Sequence, residues 1–179
     1  MRRFAPTVIL PTLAFVASCA MLQKTQPVAE ARVANASGAP LGVLQFIPTS
    51  AGVRITGELK SLPAGTHGIH IHAVGKCDAP AFTTAGAHFN PANTKHGLKN
   101  AAGPHAGDME NITAASDGEA DVDLTTTRIT LDAATGTGIF DADGGAIVVH
   151  ATTDDQTTDP SGNSGARIAC GVIGRAKSQ

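Results

Sequence analysis

The chain has 179 residues, of which 42% are apolar and 16% charged, and its net charge is -2. That is enough apolar material for the core of one domain plus a tail. It has no basic run, no Trp, no Tyr and only six Phe, so it offers no aromatic ladder or basic stripe for nucleic acid.

The chain opens with Arg2 and Arg3, followed by an apolar run from Val8 to Val16 that is too short to span a membrane. Val16-Ala17-Ser18-Cys19 resembles a bacterial lipoprotein signal, cleaved before Cys19 and acylated on it. Ala20 after that Cys implies, by the same resemblance to sorting signals, the outer membrane. Residues 1–18 are therefore expected as a lipoprotein signal peptide, 19–30 as a flexible tether and 31–179 as the folded domain. The expected location is the periplasm, with a membrane anchor at Cys19. A plain secretory signal that discards Cys19 is the alternative, and it too exports the protein.

Residues 30–35 read as a first short strand, and Leu41 to Ile47 as a second, closed by Pro48. Thr49-Ser50-Ala51-Gly52 suits a hairpin connection. Val53 to Leu59 alternates apolar and polar residues, the pattern of a half-buried strand. After a turn at Leu62-Pro63-Ala64-Gly65, one strand is expected from His67 to Ala73. Within it, Gly68-Ile69-His70-Ile71-His72 alternates imidazole and β-branched residues. Successive strand side chains point to opposite faces, so His70 and His72 share one face and Ile69 and Ile71 the other.

From Val74 to about Ala115 no regular element is predicted. A loop that long in a compact domain usually carries function. This one holds Cys77, His88, His96, His105 and Asp108. Gly118 to Leu124 alternates again, Arg128 to Leu131 is a short strand or turn, and Ala146 to His150 is an apolar strand ending in His. Thr152 to Gly165 is a second loop, rich in Asp, Thr and Gly, and Arg167 to Ile173 is the last strand. Short strands and Gly-rich turns without a long helix imply an all-β antiparallel sandwich or barrel with two long loops. Cys77 and Cys170 are the two Cys left in an exported domain, and they are expected as one disulfide.

The chemistry lies in the seven His. His67 is an odd number of residues from His70, so in an unbroken strand it faces away and is expected to be structural. A structural zinc site takes four ligands tetrahedrally, and the first loop offers His88, His96, His105 and Asp108. His70, His72 and His150 remain, one short of the four nitrogen-rich ligands that Cu(II) prefers. The count closes if one imidazole serves both metals through its two nitrogens, and His88, nearest in sequence to the strand pair, is the natural bridge.

Six stretches carry a resemblance: Gly68 to His72, Gly86-Ala87-His88-Phe89-Asn90-Pro91, Lys95-His96-Gly97, Gly103-Pro104-His105-Ala106-Gly107-Asp108, Val148-Val149-His150, and Gly162 to Gly174. In this order they are similar to the copper/zinc superoxide dismutase family over residues 31 to 175. The resemblance implies a Greek-key, immunoglobulin-like sandwich with one copper and one zinc per subunit. Copper would be held by His70, His72, His88 and His150, and zinc by His88, His96, His105 and Asp108. It further implies that Asp154 joins the rings of His96 and His70, and that Arg167 lies beside the copper to receive a small anion. His88 and Arg167 are thus the implied catalytic residues, superoxide the substrate, and peroxide and dioxygen the products. The resemblance leaves a homodimer open.

The second loop departs from the animal members by lacking their steering lysine. Lys60, Lys76, Lys95 and Lys99 are the candidates to replace it. The sequons at Asn35 and Asn111 are read as chance in a bacterial export product. Two other classes compete with the enzyme: a non-catalytic copper store or donor, and a purely structural surface lipoprotein.

Overall fold

The computed structural model describes residues 28–132 and 135–177. The expected signal peptide (residues 1–18), the expected acylation site Cys19 and residues 19–27 of the expected tether lie outside the described residues. Nine strands are described: β1 (Ala29–Asn35), β2 (Pro40–Thr49), β3 (Gly52–Leu59), β4 (Gly65–His67), β5 (Ile69–His72), β6 (Ile112–Ala114), β7 (Ala120–Thr126), β8 (Gly145–His150) and β9 (Arg167–Arg175). One 3-10 turn, Thr83–Ala85, is the only helical element among the described residues.

Seven strands form one antiparallel sheet in the order β5-β8-β9-β1-β2-β3-β7. The ends of that sheet are joined through a small ladder. β7 is linked by a tight turn to β6, β6 pairs with β4, and β4 runs on through Gly68 into β5. The sheet thus curls toward closure, as expected for a barrel or sandwich, and this leaves little unpaired edge.

The interior is aliphatic, as a chain without Trp or Tyr requires. Leu44 and Phe46 of β2, Ile55 and Leu59 of β3, Ile69 and Ile71 of β5 and Ile147 and Val149 of β8 are buried in one cluster. On the opposite face of β8, Ala146 and Val148 pack with Phe82, Ala85 and the Cys77–Cys170 disulfide. The first loop therefore covers the outer face of β8, and the disulfide staples it there. Closing 93 residues of sequence separation contributes roughly 4 to 5 kcal/mol in the chain-entropy account.

The structure corrects four expectations. β1 begins at Ala29, one residue before the strand expected over 30–35 and inside the stretch expected as tether. Pro48 does not close β2, which runs on to Thr49. β1 begins opposite Phe46, so the ladder on that side has ended before Pro48, and its missing N–H leaves no bond unmade there. The strand expected from His67 to Ala73 is broken at Gly68. His67 pairs with Ile112 in the small ladder, whereas Ile69 pairs with Val149 in the large one. Gly68 is the pivot, donating to Thr152 O and accepting from His150 N. Lastly, the loop from Val74 ends earlier than expected, because Ile112–Ala114 forms β6.

Loop segments occupy the free edge of β5. Phe89 N donates to Ile71 O, Ile71 N donates to Gly107 O, and Gly107 N donates to Phe89 O. This three-way exchange sets His72 opposite His88 and His70 opposite Asp108. Gly107 is required here: a Cβ on it would collide with the carbonyl of Ile71. The short strand β5 and the long loop are thereby brought into register where their His residues meet.

Candidate metal centre

His70 and His72 lie on the outer face of β5, with Ile69 and Ile71 in the core on the other side, as the alternation predicts. β5 pairs with β8 so that His70 faces Val148 and His72 faces Ala146. His150 ends β8 on that same side, after a register shift at Val149. His88 reaches the group from the loop laid on the edge of β5. All four rings are buried, at 0%, 1%, 7% and 3% exposure for His70, His72, His88 and His150.

Each ring has one nitrogen occupied and one bare. His72 Nδ1 lies 3.0 Å from Gly86 O, and His150 Nδ1 lies 3.2 Å from Gly165 O. His70 Nε2 lies 2.7 Å from Asp154 Oδ2, and His88 Nδ1 lies 2.9 Å from Asp108 Oδ1. The other four nitrogens, Nδ1 of His70 and Nε2 of His72, His88 and His150, are buried without a hydrogen-bond partner. The four residues offer ligand atoms lying within 4.8 Å of one another. Four unpaired buried nitrogens in one spot are costly unless a cation fills the gap.

On the other side of the His88 ring, a second set closes around Asp108 Oδ1. That oxygen lies 2.9 Å from His88 Nδ1, 3.0 Å from His96 Nδ1 and 3.3 Å from His105 Nδ1. His105 Nδ1 lies 3.5 Å from His88 Nδ1. Ligand atoms bound tetrahedrally to zinc at its usual lengths lie about 3.3 Å apart, so these spacings fit. Asp108 Oδ2 is held by the N–H groups of Gly97 (2.8 Å) and His105 (2.9 Å), which leaves Oδ1 for the centre.

Asp154 joins the two sets. Its Oδ2 faces His70 Nε2 and its Oδ1 faces His96 Nε2 at 3.0 Å. A carboxylate accepting from both rings fixes each as the tautomer that leaves Nδ1 bare toward its metal. Burial alone would raise the Asp154 carboxyl; bonds from His70, His96 and the Gln156 N–H outweigh it and hold it below the usual range. In Asp108 the same contest ends the same way: burial is outweighed by His88, His96 and the Gly97 N–H.

The electrostatics of the centre separate its rings. Burial lowers His70 to about 4 against the opposing bond to Asp154, and lowers His72 to about 2 and His150 to about 3 with smaller lowering by neighbouring His and Arg167. Burial would also lower His96, but Asp108 and Asp154 prevail and raise it to about 9. Unfolded His titrates near 6.5. Below that value the unfolded chain protonates the first three rings before the folded protein does, so their contribution to stability is lost as pH falls from 6.5, down to about 4 for His70, about 3 for His150 and about 2 for His72. The His96 contribution is complete below 6.5 and is lost as pH rises through 9. The thermal midpoint of the metal-free protein should therefore peak near pH 6.5 and decline on both sides; a flat midpoint from pH 4.5 to 8.5 would contradict these assignments.

Arg167, on β9 opposite His150, has its guanidinium fixed by two carbonyls. Nη1 donates to Phe82 O at 2.7 Å and Nη2 to Gly86 O at 2.6 Å. Gly86 O also faces His72 Nδ1, so one carbonyl aligns the cation with the ring cluster. A shallow depression beside Arg167 is lined by Pro80, Ala81, Thr83, Gly165 and Ala166, so Arg167 is its only charged lining residue. Of the four lysines considered for steering, Lys60 is paired with Glu119 at 2.8 Å and Lys95 with Asp159 at 3.0 Å.

His67 stands apart from both sets, as expected. Its Nδ1 lies 2.8 Å from His150 O and its Nε2 2.8 Å from Pro63 O, so it braces backbone. Sequence reasoning missed several supports. Asn111, read only as a chance sequon, binds the Asp154 backbone both ways: its Oδ1 accepts Asp154 N, and its Nδ2 donates to Asp154 O, each at 2.9 Å. Arg128 donates to Asp108 O, and Asp159 accepts the N–H of His96 at 2.9 Å. None of these contacts leaves a local spacing signal.

A family model described as copper/zinc superoxide dismutase (SODC) matches residues 41–173. Superoxide dismutase (Cu-Zn) 1 of Aquifex aeolicus is 43% identical over 144 residues, covering 80% of this chain and 85% of that protein. Superoxide dismutase (Cu-Zn) of Caulobacter vibrioides is 43% identical over 147 residues, 81% of this chain and 84% of that one. Among solved structures, a SOD-like protein from Bacillus subtilis superposes with a TM-score of 0.77 at 38% identity, over 80% of this chain and 96% of that chain. All seven His and Asp residues of the two sets lie within the matched residues.

Proposed function

Because this chain belongs to the copper/zinc superoxide dismutase family, we propose that it converts superoxide to dioxygen and hydrogen peroxide outside the cytosol, at a copper and a zinc sharing the ring of His88. His70, His72, His88 and His150 would hold copper; His88, His96, His105 and Asp108 would hold zinc. The observation that carries this reading is the convergence of four buried, unpaired imidazole nitrogens next to a second set of four close ligand atoms, with one ring in common.

The reaction consumes two superoxide ions and two protons and yields one dioxygen and one peroxide. Copper supplies a one-electron couple that oxidises one superoxide and reduces the next; zinc has no redox role. The chain's own residues do the rest. Arg167, held by Phe82 O and Gly86 O, offers a fixed cation to the anion. His88 Nε2 faces the copper set and is a nitrogen able to carry one of the two protons, while its Nδ1 stays against Asp108. Asp154 keeps His70 and His96 oriented throughout.

Export through the leader and lipid anchoring at Cys19 to the outer membrane complete the proposal, supported by the leader pattern in residues 2–20. There the substrate is superoxide of the cell envelope. The test is the rate of superoxide loss in protein loaded with both metals. Unchanged decay over buffer would sink the assignment. Arg167→Ala should lower that rate by roughly tenfold or more and flatten its dependence on ionic strength, since a fixed charge draws an anion less strongly as salt screens it.

A further inference from the structure

We infer that Gln156 is a positioning residue for the zinc half of the centre, acting through the backbone of three separate loop segments. The inference rests on the two-metal reading above. Gln156 is 2% exposed and holds φ at +65°. Residues with a Cβ avoid that left-handed conformation, and they keep it where surrounding contacts over-determine it.

Those contacts are specific. The Gln156 N–H donates to Asp154 Oδ1 at 2.6 Å, the same oxygen that faces His96 Nε2. Its side-chain Nε2 donates to Met109 O at 3.1 Å, one residue past Asp108. Its Oε1 accepts Leu98 N at 3.4 Å, two residues past His96, and its backbone O accepts Lys99 N at 3.0 Å. One residue thus ties together the segments that carry His96, Asp108 and Asp154, without touching a metal-facing atom of either zinc ligand.

The side chain matches the task. A primary amide ends in one acceptor and one donor group, and here a backbone N–H needs the first and a backbone carbonyl the second. A carboxylate of the same shape would turn an oxygen toward Met109 O; a leucine would leave both backbone groups unpaired in a buried place. The consequence should fall on zinc more than on copper. Three copper-set residues ride on the paired strands β5 and β8, whereas every zinc-set residue lies in the loop between β5 and β6.

The test uses the full chain loaded with copper and zinc, in four forms: unsubstituted, Gln156→Glu, Gln156→Leu and, as the mildest change, Gln156→Asn. Zinc release to a chromophoric chelator is followed in each, together with the visible spectrum of cobalt placed in the zinc site. Zinc release should be about 10–100-fold faster in the variants, the range usual for a residue supporting a metal ligand, with shifted cobalt bands and copper release changed less. Release within twofold of the unsubstituted protein and unaltered cobalt bands, in any variant that folds, would overturn the inference, even if the melting midpoint fell. Failure of the unsubstituted protein to hold one zinc would instead count against the two-metal reading.

Discussion

Replacing His88 by alanine should leave a folded chain that removes superoxide no faster than buffer. The ring offers Nε2 to one set and Nδ1 to the other, so its loss takes one of four ligands from each. His72→Ala and His105→Ala each touch only one set, which makes them the proper comparison. In metal titrations, His88→Ala should weaken both metals by more than the roughly 10–100-fold expected for a supporting residue. His105→Ala should weaken zinc first, and His72→Ala copper first. The fold should survive, because the His88 side chain is not part of the aliphatic core that holds the barrel. Retention of zinc at unaltered affinity in His88→Ala would show that the ring is not shared.

Gly162→Ala should be nearly as damaging, although Gly162 ligates nothing. Its φ is +63°, and a Cβ there would fall on Asp154 Oδ1, 2.5 Å from Asp154 Cγ and 2.7 Å from His96 Nε2. The Asp154 carboxylate would have to leave its place between His70 and His96. Both rings would then lose the partner that fixes their tautomers, and both metals should bind about 10–100-fold more weakly. Gly38→Ala isolates the backbone part of the effect, because Gly38 has φ of +81° and nothing within 4 Å of an added Cβ. It should cost about 1–2 kcal/mol of stability and leave metal content unchanged. Equal metal content in Gly162→Ala and the unsubstituted protein, measured after dialysis against a chelator, would refute the steric argument.

The parts of this centre that sequence made legible are those with a short period or a closed count. Ile69 and Ile71 against His70 and His72 follow a period of two, and the structure places them on opposite faces as that period demands. With Cys19 read as part of a leader, only two Cys remained to pair, and Cys77 meets Cys170. Seven ligand residues for eight coordination places forced a shared imidazole, and His88 is the ring that touches both sets.

What stayed hidden has a common physical cause. Asn111, Gln156, Gly162 and Arg128 act across gaps in sequence, through hydrogen bonds or close contacts that impose no periodicity. Three-residue β4 and β6 are too short to show alternation, so the small ladder and the pivot at Gly68 emerge only when both partners are in place. Pro48 misled for a related reason: a proline is excluded from a strand only where its missing N–H would face a partner, and the end of β1 decides that.

The whole centre turns on one ring, His88, lying between two different metals. Anomalous diffraction from crystals of the copper- and zinc-loaded protein, recorded on both sides of each absorption edge, tests it directly. Two peaks are expected, one on each side of the His88 ring: copper beside Nε2 with His70, His72 and His150, and zinc beside Nδ1 with His96, His105 and Asp108. A single peak, or copper bound away from His88 Nε2, would contradict it.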